Sequence, residues 1–190
     1  MVLLLIILFC LFCILLIVQL VLVNQLQRHS FSDYETKLYN YRWFTKKLNS
    51  LNKKNNQQST PIPLTIAILD IDDFRRFNKI GIRVGDEVLQ AFAKQLSEYT
   101  FELSAIKNIV RYRLGDEFAI IFENRDNEYV EDIMKKILSF FEQNHLKIDS
   151  STDPIYLSFS YGFAQLNLHE GIDSLMCRAE NMLMLMKSNK

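Results

Sequence analysis

The chain carries no excess of charge of either sign: 22 Lys and Arg stand against 22 Asp and Glu. That balance removes the basic patch or stripe by which a protein holds a nucleic-acid polymer, so no such polymer is an expected partner. A small nucleotide arriving with its own metal ions stays compatible. Cysteine is scarce as well. Cys10 and Cys13 lie inside an apolar run and Cys177 stands alone, which excludes a disulfide framework and a cysteine metal site. His29, His145 and His169 are scattered and read as surface or packing residues. With no His/Cys ligand set, a metal site in this chain has to be built from oxygen.

What the sequence does have is one long apolar run. Val2 to Val23, "VLLLIILFCLFCILLIVQLVLV", contains a single polar residue, Gln19. At about 1.5 Å per residue it is long enough to span the ~30 Å hydrocarbon core of a bilayer. A cleaved signal peptide is the rival reading. Against it, no Lys or Arg precedes the run, the run exceeds the usual ~7–15 residues, and "LVNQLQ" offers no small-residue cleavage site. A retained helix inserted in the lipid bilayer through residues 2–23 is therefore expected. Arg28, Lys37, Arg42, Lys46 and Lys47 all follow it, which predicts a single pass with the C-terminal part in the cytoplasm. The expected layout is an anchor over 1–24, a short linker over 25–32 and one domain over 33–190. The linker is too short for a sensory domain.

Beyond the anchor the hydrophobic period alternates. "YNYRWFTKKLNSLNKK" has Tyr41, Phe44, Leu48 and Leu51 at helical spacing, and "NNQQSTPIP" is a polar loop closed by two prolines. "LTIAILDID" reads as a buried strand ending in acids. Residues 73–99 predict one or two helices broken near Gly81. "AIKNIVRYR" and "EFAIIF" predict two strands around a short turn. "EYVEDIMKKILSFFEQN" is an amphipathic helix, "IYLSFSYGFAQL" alternates as a strand, and "DSLMCRAENMLMLMK" closes the chain as a helix. Its Leu175, Met176, Ala179, Met182, Leu183 and Met186 form a stripe assigned to core packing. This order predicts an α/β (α+β) layer structure, a mixed central sheet flanked by helices.

Two acidic stretches are candidates for chemistry. In "LDIDDF" the period of two puts Asp70 and Asp72 on one strand face and Ile71 on the other. In "LGDEF" Asp116 and Glu117 follow Gly115 at a predicted hairpin tip. If the strands are neighbours, the acids converge on one sheet edge. Convergent carboxylates repel, and hard oxygen ligands favour Mg²⁺ or Mn²⁺ with substrate phosphates completing the shell. The plainer alternative is that Asp70 to Asp73 cap the next helix and Gly115-Asp116 is an ordinary turn. Pattern alone leaves both open.

Taken together and in order, these stretches resemble the GGDEF domains of bacterial diguanylate cyclases over roughly residues 33–188. "DYETKLYNYRWF" is similar to the family motif D-x-L-T-G-L-x-N-R-R-x-F, keeping Asp33, Thr36, Leu38, Asn40, Arg42 and Phe44. "DIDDFRRFN" resembles D-x-D-x-F-K-x-x-N, "GIRVGDEVL" resembles G-H-x-x-G-D-x-x-L, and "LGDEF" resembles the signature itself. "SYG" and "RAENMLMLMK" resemble the later S-x-G and the closing A-D-x-A-L-Y-x-A-K helix. The resemblance implies a nucleotidyl-cyclase and polymerase-palm-like fold and the condensation of two GTP into cyclic di-GMP. It implies a homodimer in which each protomer supplies half of the site, and a bacterial inner (cytoplasmic) membrane location. Carried onto this chain, Asp70, Asp116 and Glu117 are catalytic, and Asp70, Asp116 and the Ile71 carbonyl hold the Mg²⁺ or Mn²⁺. Asn78 and Asp86 read the guanine edge, while Arg75, Lys187 and Gly115 belong to the substrate site.

The departures fall around the acids. Leu114 stands where the signature has its first glycine, and Ile82 stands for the histidine of G-H-x-x-G-D. One residue is missing between Asn78 and Gly81. The family arginine two residues before the signature aligns with Tyr112, so Arg111 or Arg113 serves only if the loop holds an extra residue. An arginine expected soon after Lys187 has no place before Lys190. The product-inhibition motif R-x-x-D aligns with Ala105 and Asn108, so feedback binding there is not expected. Two functions follow: a cyclase, slowed by these changes, or a catalytically degenerate domain that binds GTP or a protein partner.

Overall fold

The computed structural model describes residues 1–190 apart from Ser59, Ala105, Lys107 and Leu114; for residues 2–5, 24–29 and 104 it describes the backbone alone. Leu114 and Ala105, two of the departures above, thus lie outside the described residues. The chain divides into two units, Met1–Ser32 and Asp33–Lys190.

The first unit is one helix, α1 (Val2–Phe31), so the stretch read as a linker continues the helix as far as Phe31. Its segment Ile6–Val23 has no charged residue and none of it is buried; it is long and apolar enough to cross a membrane. So apolar a surface, broken by Gln19 alone, calls for a lipid or protein cover.

The second unit begins with a closed turn. Asp33 Oδ1 accepts from the Thr36 amide at 2.8 Å and from its hydroxyl at 2.7 Å, and the Asp33 amide donates to the Leu38 carbonyl at 2.8 Å. Lys37 occupies the family glycine's place at φ 61°, a left-handed conformation that costs a side chain about 1–2 kcal/mol. Helix α2 (Tyr41–Asn56) then starts at Asn40, whose side chain accepts from the Trp43 amide at 3.1 Å. Next come β1 (Leu64–Ile71), α3 (Arg75–Ile80), α4 (Ile82–Ser104), β2 (Ile109–Arg111) and β3 (Glu117–Glu123). Helix α5 (Asn127–Gln143) opens on an Asp126 cap that accepts from the Tyr129 amide at 2.9 Å. The chain ends with β4 (Leu146–Ile148), β5 (Ser151–Ile155), β6 (Phe159–Gln165) and α6 (Ile172–Ser188).

Four strands form the central sheet in the order β2-β3-β1-β6, every neighbouring pair antiparallel. The sheet is therefore antiparallel, and the parallel contact of Tyr39 with Val110 is an isolated bridge outside its strand pairs. β1 is buried along its whole length, because helices cover both faces. Ala67, Leu69 and Ile71 pack with α3, α4 and α5, while Leu64, Ile66 and Ile68 pack with α2 and α6. The layered fold predicted from the sequence is borne out. Two details differ. β6 starts only at Phe159, and the residues before it form the separate hairpin β4–β5, tied to α4 by Ser150, whose amide and hydroxyl each donate to Glu87 at 2.8 Å.

The connection from β6 to α6 holds a multiply bonded charge pair, Glu170 with Arg178. Glu170 accepts from Arg178 Nε at 2.9 Å and Nη2 at 2.5 Å, and from the Asn167 amide and Ser174 hydroxyl at 2.8 Å each. Arg178 foremost, then the Asn167 and Ser174 donors, hold the Glu170 carboxyl at about 2, below its ordinary 4.5. A lowered carboxyl pKa stabilises the fold fully above the ordinary value and less and less as pH falls towards 2. Glu170→Gln is therefore expected to lose about 2 kcal/mol at pH 7 and to approach wild-type stability only as pH falls to about 2. Urea midpoints of both proteins at the two pH values check this; a gap that stays constant would refute the assignment.

Candidate active site at the acidic strand ends

The antiparallel register brings the two acidic stretches together. Asp70, the penultimate residue of β1, lies opposite Glu117 of β3 on one side and Ser160 of β6 on the other. The Ile71 amide donates to the Asp116 carbonyl at 3.3 Å, so the signature turn closes against the end of β1. Period-two geometry points Asp70 and Asp72 to the α6 side, and α6 supplies a cation for Asp70: Lys187 Nζ lies 2.7 Å from Asp70 Oδ2. Asp72 accepts from the Ser160 hydroxyl at 2.7 Å and from Lys190. Lys190 also donates to Ser158 Oγ at 3.2 Å and the Phe159 carbonyl at 3.1 Å.

The remaining acids are less well compensated. Burial first, and then the Asp70 charge, push both the Asp116 and Glu117 carboxyls above their ordinary values. Lys187 and Arg111 oppose this at Asp116, and Arg113 and Lys187 at Glu117. Gly115 has φ 85°, a conformation glycine adopts freely, and the space where its Cβ would stand is open.

Arg111 and Arg113 take different places beside the signature turn. Arg111 pairs across to Phe118, with its guanidinium 5.0 Å from that ring, and only 8% of the residue is exposed. Its Nη1 has no hydrogen-bond partner among the described residues. Burial lowers its pKa, while Asp33, Asp116, Glu35 and Asp86 raise it, so this cation sits amid acids from three parts of the chain. Arg113 turns instead to α6, where its Nη2 meets Glu180 Oε1 at 2.8 Å. Tyr112 donates to the same oxygen at 2.7 Å. Ser160 and Glu180 lie in the stretches "SYG" and "RAENMLMLMK", yet sequence reasoning gave them, like Lys190, no role at the site, since each contact joins segments far apart in the chain.

Asn78 of α3 and Asp86 of α4 lie on the two sides of the elbow between these helices. Gly85 stands between them: a Cβ there would lie 2.0 Å from Asn78 Oδ1, so the glycine leaves the room that the amide fills. Asn78 is exposed and Asp86 is half-buried. Arg75 is exposed at the first residue of α3. Among the described residues, no three His, Cys, Asp or Glu side chains converge closely enough to hold a metal by themselves. What exists is a hard-oxygen pair, Asp70 and Asp116, whose mutual repulsion a cation would relieve. That donor set suits a divalent ion sharing its shell with phosphate oxygens, and does not suit a self-contained protein cage.

An antiparallel sheet with helices on both faces, and acids from two neighbouring strands gathered at one end, defines an α+β domain with a candidate acidic site at its strand ends. Residues 30–190 match the family described as diguanylate cyclase, GGDEF domain, and the chain belongs to that family. It is 31% identical over 178 residues to diguanylate cyclase DosC of Escherichia coli (strain K12), covering 87% of this chain and 35% of that one. The chain thus spans about a third of that relative's length. It is 26% identical over 147 residues to an uncharacterized membrane protein of Staphylococcus aureus (strain USA300), covering 76% of this chain and 39% of the other. Among solved structures it resembles the coiled coil and GGDEF domain of DgcB from Caulobacter crescentus, crystallised in complex with c-di-GMP. The TM-score is 0.78 at 26% identity, over 88% of this chain and 85% of the crystallised chain.

Proposed function

We propose that this protein is a diguanylate cyclase, anchored in the bacterial inner membrane by α1, with its GGDEF domain in the cytoplasm. The observation that carries the reading is the convergence of Asp70 and Asp116 across paired strands, with Lys187 2.7 Å from Asp70. Two GTP would be joined by two phosphodiester bonds: each 3′-hydroxyl attacks the α-phosphate of the other nucleotide, a proton is lost and pyrophosphate leaves. Asp70, Asp116 and the Ile71 carbonyl would hold Mg²⁺ or Mn²⁺. The chemistry supplied by such an ion is activation of the hydroxyl and neutralisation of charge at the reacting phosphate. Lys187 and Arg75 would bind phosphate oxygens. Asn78 would meet the guanine acceptor edge and Asp86 its N–H donors. Glu117 completes the acidic set and Gly115 lets the backbone turn beneath the nucleotide. One protomer holds one GTP, so turnover requires a homodimer.

A second reading has its own support. The ion pairs of Lys187 with Asp70 and Lys190 with Asp72 neutralise the acids without a metal, as in a degenerate domain that binds GTP or a protein partner. The deciding experiment supplies GTP with Mg²⁺ or Mn²⁺ to the full chain in detergent, at concentrations that favour dimers, and looks for cyclic di-GMP. Absence of product overturns the cyclase reading, and retained GTP binding then supports the degenerate one.

Gly85→Ala tests the guanine elbow. The new methyl would displace the Asn78 amide, a flexible tip, so the fold should survive. GTP affinity is expected to fall about tenfold, roughly 1.4 kcal/mol. Calorimetric titration with GTP reads the change, and unaltered affinity would remove Asn78 from the guanine site.

A further inference from the structure

We propose that Glu180 is a positioning residue for the signature turn, and that α6 thereby grips the acidic centre at two points; this rests on the cyclase reading above. Tyr112 and Arg113 are the two residues that carry the chain from β2 into the turn holding Gly115 and Asp116. Both are fastened to one atom, Glu180 Oε1, by the Tyr112 hydroxyl at 2.7 Å and by Arg113 Nη2 at 2.8 Å. Tyr112 itself is fixed: it is 1% exposed, and its ring stands edge-on to Tyr41 and Phe44 at 5.3 Å each. The far side of the turn closes through the Tyr112 amide on the Glu117 carbonyl at 2.9 Å.

Between these fastenings the backbone takes two positive φ values, 20° at Arg113 and 85° at Gly115. Such conformations persist where surrounding contacts enforce them. Glu180 and Lys187 are seven residues apart on α6, two turns along one face. Glu180 holds the start of the turn while Lys187 pairs with Asp70 at 2.7 Å. The distance between the Asp116 and Asp70 carboxylates is thus set by one rigid helix acting on both strands. Glu180 touches neither a reacting atom nor the nucleotide; it acts through the loop it holds.

The test compares wild type, Glu180→Ala, Glu180→Gln and Glu180→Asp as full chains in detergent. Hydrogen exchange without nucleotide reads the turn directly. In Glu180→Ala the amides of Tyr112 and Ile71, which close the turn, should exchange at least tenfold faster, while those of Ile66 to Leu69 in mid-β1 stay unchanged. Steady-state kinetics should show kcat lowered about 10–100-fold with KM within about threefold, and Glu180→Asp should recover part of kcat. A purely structural role predicts faster exchange throughout and no such split. Unchanged exchange at Tyr112 and Ile71, or a loss confined to KM, overturns the proposal. Should Glu180→Ala not fold, Glu180→Gln answers alone: it keeps an acceptor for Tyr112 but loses the Arg113 ion pair, and wild-type exchange in it would equally overturn the assignment. If wild type itself makes no cyclic di-GMP, the cyclase reading fails, and the exchange measurement still decides whether Glu180 holds the turn.

Discussion

Asp116→Asn should give a folded protein that makes no measurable cyclic di-GMP, a loss of at least about 10³-fold, or about 4 kcal/mol of barrier. The amide keeps the shape of the side chain but removes one of the two converging anionic oxygen donors at the strand ends. The fold should not suffer. In wild type, burial and the Asp70 charge both disfavour the ionised Asp116, so the native state already bears the cost of that carboxylate. Replacing it relieves the repulsion, and the melting temperature should hold or rise slightly. The same physics fixes a sign. A carboxyl with a raised folded pKa makes wild type gain stability as pH falls from neutral into the carboxylate range, and Asp116→Asn should lack that gain. Turnover assays and thermal melts at pH 7 and pH 5 check both halves. Undiminished product formation would remove Asp116 from the chemistry; a collapsed melting temperature would make it a structural residue.

How much of this was legible in the sequence depends on the range of each interaction. β1 announced itself because a strand covered on both faces must be apolar throughout, and "LTIAIL" is. The helices α2, α5 and α6 were legible through their one-sided burial, as with Val130, Ile133, Ile137 and Phe141. The β4–β5 hairpin was not. Its strands are short and β5, "STDPI", is largely exposed, so no apolar alternation marks it, and its tie to Glu87 lies 63 residues away in the chain. The acidic site divides in the same way. Motif spacing suggested that Asp70 and Asp116 converge, but only strand register shows Arg111 opposite Phe118 and Arg113 on Glu180. A shift of one residue in a strand sends a side chain to the opposite face, and sequence pattern alone cannot choose the register. The lysines on Asp70 and Asp72 come from α6 and from Lys190 just past its end, more than a hundred residues later, where charge alone gave no partner.

Gly162→Ala is expected to be the most destabilising single-methyl change in the domain. Gly162 lies in mid-β6 opposite Ile68, on the face that carries α6. A Cβ there would stand 2.2 Å from the Ala179 carbonyl oxygen, 2.2 Å from the Leu183 nitrogen and 2.8 Å from the Met182 carbonyl carbon. All three are backbone atoms of one helix, so no side chain can turn aside; strand and helix must separate. Ordinary overpacking costs about 1–3 kcal/mol, and a backbone collision belongs at or above the top of that range. For a domain of this size about 3 kcal/mol lowers the melting temperature by roughly 10 °C. Gly171→Ala is the control: it is the N-cap of α6 with open space at its Cβ and should cost only about 0.5–1 kcal/mol, the difference between glycine and alanine as a cap. The effect on Gly162→Ala should reach the chemistry as well, because moving α6 away from β6 withdraws Glu180 from the turn and Lys187 from Asp70 together. Thermal melts of the two alanine variants separate packing from conformation, and a Gly162→Ala protein melting within about 2 °C of wild type would mean that the sheet–helix contact yields more easily than backbone packing allows.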